Sequence, residues 1–269
     1  MESTAGLAGD RAIGARLGAG ALAAGWAVLF FGLIDLSVSV VPSAYPEFAR
    51  FIVLEASWGL LYTVLVPAPL VAWAVRPVPW VGPQVVGIAA AVLVSGVAAQ
   101  AWGQVVVALL VTACAAFPRM WRPGPRWSFR PLVTQPVYWP VTILSTVAAV
   151  GAVVHAAQVL EQARSGEPDD NTWGLMHLPM QAAFALGVAV AAAVAVLALA
   201  NGAAGWWFAI VPPAACAIWF GVVSATHPEH VGSLGLLAGR GVAGWGIAIL
   251  VAQWITGRAA VRARARRAD

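Results

Sequence analysis

The sequence predicts an all-α fold, a polytopic membrane helix bundle of about eight transmembrane helices. Three observations predict it: the mean hydropathy is +0.83, only 10% of the 269 residues are charged, and apolar runs cover nearly the whole chain. These values lie outside the range of soluble domains of this size. Because no block is long and polar enough to fold separately in water, the sequence indicates one bundle with short loops.

The chain divides into a bundle and two short polar ends. Residues 1–17 are expected to form a cytoplasmic N-terminal segment, residues 18–257 the transmembrane bundle, and residues 258–269 a basic cytoplasmic tail. The first apolar run is too long for a signal peptide and carries Asp35, so we expect a retained span. Since about 20 residues cross the bilayer core, spans are expected near 18–41, 51–75, 83–99, 102–117, 138–160, 173–200, 205–224 and 234–256.

Two boundaries stay open in the sequence. Residues 83–117 form one apolar stretch that is interrupted only by AAQAWGQ. One overlong helix or a tight membrane hairpin would account for it, and the hairpin fits the thickness of a bilayer better. The last span begins either before Arg240 or at Gly241.

The arginines predict the orientation, because basic residues near span ends accumulate on the cytoplasmic side. With both termini inside, all but three of the 15 arginines fall on that side, the exceptions being Arg50, Arg164 and Arg240. We expect a multi-pass protein of a bacterial plasma membrane, since the chain is rich in Ala, Val and Arg and lacks Lys. The Arg-rich loop 119–130 and the tail 258–267 are predicted to contact anionic lipid headgroups and not nucleic acid. A homo-oligomer or a membrane partner is compatible with this picture.

A Trp-Gly pair recurs near the start of each helix that is predicted to run inward. The four tryptophans are Trp58, Trp102, Trp173 and Trp245. Because tryptophan is enriched where a membrane meets water, all four are predicted to be interface anchors. The recurrence also suggests two parallel four-helix halves, as in some transporters.

The residue inventory excludes several function classes. Without lysine there is no Schiff base to retinal or pyridoxal phosphate and no Walker A loop. Cys114 and Cys216 lie in apolar segments without a CxxC partner, so we expect small core residues and not a disulfide or thiolate metal site.

Four titratable side chains from four helices are predicted to share one layer, about 6–9 Å below the outer ends of the spans. They are Asp35, Glu55, His155 and His177. Gln181 shares the face of His177 four residues earlier, and Tyr62 aligns with Glu55. Ionisable groups at this depth face a protein interior or a water-filled cavity. The sequence therefore predicts a polar chamber near the extracytoplasmic leaflet.

Three interpretations of this chamber remain open. It could be a structural network in which Arg240 pairs with Asp35 or Glu55. It could bind or translocate a small solute or ion, or support a membrane partner, without a cofactor. The alternative is a metal- or haem-dependent membrane enzyme that uses the His and carboxylate groups, with His155 and His177, or His227 and His230 of the HPEH loop, as metal ligands.

Overall fold

The computed structural model describes residues 4–121 and 127–265, and nearly all of that chain is helical. The α-helices are α1 (Thr4–Leu29), α2 (Gly32–Val40), α3 (Ile52–Leu60), α4 (Pro67–Val75), α5 (Val81–Ala98), α6 (Trp102–Trp121), α7 (Arg130–Thr134), α8 (Trp139–Ser165), α9 (His177–Ala200), α10 (Trp206–Thr226) and α11 (Gly235–Ala265). Short 3-10 turns occupy Pro42–Ala44, Pro46–Phe51 and Pro136–Tyr138, and a π turn occupies Leu61–Leu65. Two short strands, β1 (Asn171–Thr172) and β2 (Leu175–Met176), form an antiparallel hairpin.

The protein is an all-α polytopic membrane bundle. Within the described ranges, six helices are long and apolar enough to cross a membrane, and the bent pair Ile13–Leu29 and Gly32–Val40 makes a seventh when it is counted as one span. The first 15 residues of α6, Trp102–Ala116, form a shorter apolar helix by the same measure. The expected stretch 83–117 thus folds as two helices joined by a turn at residues 99–101.

The loops gather at two ends of the bundle. One end, the hairpin end, carries residues 41–51, 99–101, 166–176 and 227–234. The other end, the arginine end, carries the first described residues of α1, the last described residues of α11, residues 127–138 and residues 201–205. The predicted lipid contacts at Arg122, Arg126, Arg266 and Arg267 lie outside the described residues. That the hairpin end is extracytoplasmic remains a prediction from the arginine distribution.

Both halves of the chain have the same arrangement of inner and outer helices. The second and third spans of each half are mostly buried, whereas α8 and α11, the first and last of the second half, expose most of their surface. The third span of each half packs on the second span of the other half. These contacts join α5 to α9 and α10 to α3. This arrangement is what an internal duplication would produce, and the duplication stays a prediction.

The first span is broken at its hairpin end. Phe31 adopts a left-handed conformation with φ of 57°, and α2 leaves the axis of α1 at 56°. A break within a membrane leaves backbone groups that need partners. The indole nitrogen of Trp58 donates a hydrogen bond to the carbonyl oxygen of Phe30 at 2.7 Å. The break is therefore stabilised by the second span.

The second span changes its winding one turn after Trp58. The amide of Val66 donates to the carbonyl of Leu61 at 2.9 Å, which is the longer spacing of a π turn. Pro67, which lacks an N–H, begins α4 directly afterwards. π turns are uncommon and frequently occur at functional sites.

Buried glutamines bind the backbone groups that prolines and helix ends leave free. Pro213 in α10 has no N–H for the carbonyl of Ala209, and the side chain of Gln84 in α5 donates to that oxygen at 3.0 Å. Gln104 donates to the carbonyl of Met176 at 2.7 Å. These contacts tie adjacent helices together where hydrocarbon offers no other partner.

Candidate functional site

The segment DNTWGLMH, expected to open the sixth span as a helix, is a β-hairpin. Trp173 and Gly174 both have positive φ, as the two central residues of a type I′ turn require. A tryptophan rarely adopts this conformation. Its ring meets the ring of Phe31 edge-on at 5.1 Å, so the hairpin tip rests on the break of the first span.

The helix α9 begins at His177, four residues later than predicted, and an acidic residue caps it. The carboxylate of Asp169 accepts the amide of Leu178, at 3.0 and 3.2 Å from its two oxygens. Burial raises the pKa of Asp169 to about 6, and this amide acts against the shift. Carboxylates are favourable at the first turn of a helix because they bind its free N–H groups.

Three ligand-type side chains converge just below the hairpin. One donor atom each from Glu55, Asp170 and His177 lies within 4.8 Å of the others. The carboxyl group of Asp35 in α2 faces the same cluster, where it interacts with Glu55 and His177. We call these four residues the acidic cluster. It combines the broken first span, the second span with its π turn, the hairpin and the first residue of α9.

Three side chains of the acidic cluster, those of Asp35, Glu55 and His177, are buried and short of partners, whereas Asp170 is partly exposed. Glu55 and His177 are about 1% and 0% exposed. Oδ2 of Asp35, Oε1 of Glu55 and Nδ1 of His177 make no hydrogen bond. Oε1 of Glu55 and Nδ1 of His177 are 3.4 Å apart, which is an ion-pair distance rather than a hydrogen bond. In the described part of the chain, no arginine pairs with any of these carboxyl groups.

Two neighbours orient His177. Its Nε2 lies 3.1 Å from the hydroxyl oxygen of Thr172 on the hairpin. Trp58 stacks on the imidazole, with 4.2 Å between ring centroids. When Nε2 carries the proton and donates to Thr172, Nδ1 keeps a free lone pair 3.4 Å from Oε1 of Glu55. Hydrogen bonding of one histidine nitrogen in this way is how proteins set the other as a metal ligand.

A glycine allows α2 and α3, the helices that carry Asp35 and Glu55, to pack closely together. Gly59 lies four residues after Glu55, on the same face of α3, and packs against the backbone of Leu36, the neighbour of Asp35. A side chain at this position would overlap the nitrogen and Cα of Leu36. The close approach of α2 and α3 therefore depends on the missing Cβ.

Aromatic rings close the bundle beneath the acidic cluster. Tyr62 is fully buried, stacks against Trp26 and Phe30, and donates its hydroxyl to the sulfur of Met180 at 3.3 Å. Tyr62, which was predicted to belong to the polar chamber, thus lies between the acidic cluster and the rest of the bundle.

His155 and Gln181 form a second polar group, separate from the acidic cluster. The amide nitrogen of Gln181 donates to the carbonyl of Gly232 at 2.5 Å and lies 3.3 Å from Nε2 of His155. A carbonyl oxygen can only accept a hydrogen bond, so the Gln181 atom that faces Gly232 must be the amide nitrogen. Nε2 of His155 lies next to the same nitrogen and must therefore be an acceptor. His155 therefore carries its proton on Nδ1. The polar residues that were predicted to share one layer therefore form two separate sites.

Several predicted ligands lie elsewhere. Arg240 is within α11, which begins at Gly235, and is exposed; none of the ion pairs in the described chain includes it. His230 contacts the carbonyl of Ala49 at 3.1 Å, and His227 contacts its own helix end. The only group of three or more converging metal-ligand side chains in the described residues contains His177 and neither His155, His227 nor His230.

The four predicted interface anchors differ in exposure, and their depth in a membrane stays a prediction. Trp58 is 0% exposed and lies in the core, so it cannot contact headgroups. Trp245 is ten residues into α11, about 15 Å from its start, and donates to the carbonyl of Leu144 at 2.9 Å. Trp102 and Trp173 are 69% and 67% exposed at the hairpin end, where an interface would lie.

Sequence reasoning missed Asp169 and Thr172, and it placed Asp170 on the stripe of His177 and Gln181 without assigning it as a ligand. The two aspartates precede α9 by eight and seven residues, with the hairpin between, so the spacing along the chain does not identify Asp169 as the acceptor for Leu178. Thr172 was not recognisable, because its role depends on the hairpin.

No family model, curated protein or solved structure matches the chain.

Proposed function

We propose that this multi-pass membrane protein binds a divalent transition-metal cation, which enters from the hairpin end, and moves it into the bundle. One observation carries the proposal: Asp35, Glu55 and Asp170 converge with His177 in a buried site to which no described arginine contributes. Burying carboxylates together costs free energy unless a cation neutralises them.

The ligand types favour a transition metal over calcium or magnesium. Calcium and magnesium prefer oxygen ligands alone. Imidazole suits zinc, iron and copper, whereas carboxylates suit manganese, so a mixed set fits Zn²⁺ or Mn²⁺. The unpaired Nδ1 of His177 and Oε1 of Glu55 supply one nitrogen and one oxygen ligand. The partly exposed Asp170 would let the ion enter from the loops.

The helix breaks beside the cluster favour translocation. Asp35 lies on the short segment after the break at Phe31, and Glu55 lies six residues before the π turn begins at Leu61. Interrupted helices bind ions in many transporters, because their ends are free to coordinate and to move. The aromatic wall at Tyr62 would have to move for the ion to pass.

Metal binding is tested on protein purified in mild detergent and stripped with a chelator. Equilibrium dialysis followed by elemental analysis measures bound Zn²⁺ and Mn²⁺ per chain, with Ca²⁺ and Mg²⁺ as comparison ions. We expect one ion per chain and a loss of affinity of about 100-fold or more in Glu55→Gln and Asp170→Asn, since removing even a residue behind a ligand costs 10–100-fold. Glu47→Gln, an exposed glutamate at the same end, is the matched control. Equal binding by Glu55→Gln and the wild type would overturn the proposal.

Translocation is tested in liposomes that contain a metal-sensitive dye. Uptake that Asp35→Asn abolishes supports transport.

A metal-dependent membrane enzyme is the second candidate, favoured by the fact that two carboxylates and one histidine could leave a coordination position for water. Tight binding with no uptake in either direction would exclude transport and favour the enzyme.

A further inference from the structure

The second half of the bundle contains a long apolar groove that no other part of the described chain fills. It has a volume of about 600 Å³ and lies between α8, α9, α10 and α11. Small residues line its side, among them Ala148, Gly151, Ala238 and Gly241, and the rings of Phe184 and Phe220 form its floor. Its volume is in the range of small-molecule sites.

The groove opens toward hydrocarbon. It runs between α8 and α11, the two long helices that expose most of their surface. Along α8 it extends from Val147 to Gln158, about 16 Å at 1.5 Å per residue. Trp245 lies at its inner end, where its indole binds the carbonyl of Leu144. In a membrane, this opening faces lipid chains.

The outer end of the groove is polar. His155 and Gln158 belong both to the apolar groove and to an adjoining cavity toward the hairpin end, which Glu161, Gln162 and Ser233 also line. The buried Oε1 of Gln162 has no hydrogen-bond partner. His155 is 5% exposed, and its Nδ1–H is available because Gln181 occupies Nε2. One end therefore offers donors and acceptors, and the other offers only carbon.

We infer that this groove holds a single-chain lipid with an uncharged, hydroxyl-bearing head, of the monoacylglycerol class. The hydrocarbon chain lies between α8 and α11, and the hydroxyl groups bind at His155, Gln158 and Gln162. A phosphate or a carboxylate head is disfavoured, because the carboxylate of Glu161 lines the mouth, and the guanidinium of Arg164 is bound to Glu161 at 3.7 Å and to the carbonyl of Ala98. The site is independent of the acidic cluster.

The test uses the full chain in phosphatidylcholine nanodiscs and a photoreactive analogue of 1-monooleoylglycerol. Cross-linked peptides are mapped by mass spectrometry, and unlabelled 1-monooleoylglycerol, oleate and lysophosphatidylcholine compete for the site. We expect labelling of α8 and α11 that monooleoylglycerol displaces at concentrations at least about tenfold lower than the anionic oleate and the zwitterionic lysophosphatidylcholine, a difference of about 1.4 kcal/mol.

Two variants one residue apart make the test specific. Gly151→Phe fills the groove, and a Cβ at this position would meet nothing within 4 Å, so the fold has room for it. Val150→Phe places the same ring on the adjacent residue, which is 61% exposed. We expect Gly151→Phe to lose the displaceable labelling and Val150→Phe to keep it. Unchanged labelling in Gly151→Phe, loss in both variants, or equal displacement by all three amphiphiles would overturn the inference.

Discussion

The indole of Trp58 stacks on the imidazole of His177, with 4.2 Å between the ring centroids and 24° between the ring planes. The same indole donates its N–H to the carbonyl of Phe30, at the break of the first span. One side chain thus connects the break that carries Asp35 to the histidine of the acidic cluster. Movement at the break would therefore change the position of His177.

Removing the indole N–H should destabilise the break. Trp58→Phe keeps an aromatic ring beside His177 but leaves the carbonyl of Phe30 buried without a donor, which we expect to cost about 1–3 kcal/mol. Thermal unfolding in detergent measures the loss. Trp102→Phe, at a position that is 69% exposed, is the control and should change stability little. If the two variants unfold at the same temperature, Trp58 does not stabilise the break.

Gln84 and Pro213 should be energetically coupled. Gln84→Leu removes the donor to the carbonyl of Ala209, and we expect a loss of about 1–3 kcal/mol. In a Pro213→Ala background, the new amide of residue 213 can donate to the same carbonyl within the helix. The cost of Gln84→Leu should then be smaller by about 1 kcal/mol, measured as a double-mutant cycle of unfolding free energies. Additive effects would show that Gln84 acts through another contact.

Asp169 should stabilise the start of α9. Asp169→Ala leaves the amide of Leu178 without its acceptor, and caps of this kind are worth about 1 kcal/mol. Asp169→Asn keeps a side-chain oxygen at the same place and should retain most of the stability. Hydrogen exchange at the first turn of α9, measured by mass spectrometry, should rise in the alanine variant alone. Equal exchange in all three proteins would contradict the role of the cap.

A methyl group at Gly59 should push α2 and α3 apart. Gly59→Ala forces the backbone of Leu36 away, and overpacking of this kind costs about 1–3 kcal/mol. Because Asp35 and Glu55 then lie farther apart, Zn²⁺ or Mn²⁺ affinity should fall as well. Gly82→Ala, where an added Cβ meets nothing within 4 Å, is the matched control. An affinity for metal that Gly59→Ala leaves unchanged would mean that the spacing of α2 and α3 is not part of the site.

The sequence predicts which polar residues are buried, but it does not predict which of them lie together. Burial of Asp35, Glu55, His155, His177 and Gln181 follows from the cost of leaving polar groups in hydrocarbon, so the sequence was sufficient to select them. Regular helices would place all of these side chains in one layer. Instead, His177 at the start of α9 joins the carboxylates below the hairpin, while Gln181, one turn later on the same helix, joins His155.

The sequence by itself determined that this chain is an all-α membrane bundle, because the free energy of transfer into a bilayer sums over residues and needs no knowledge of contacts. It also determined which polar residues are too costly to face lipid. Only the tertiary structure decided that Trp58 is in the core, that Trp173 turns a hairpin, and that Arg240 stays outside the polar sites. These outcomes depend on helix breaks and close backbone approaches, whose energies come from contacts between residues far apart in the chain.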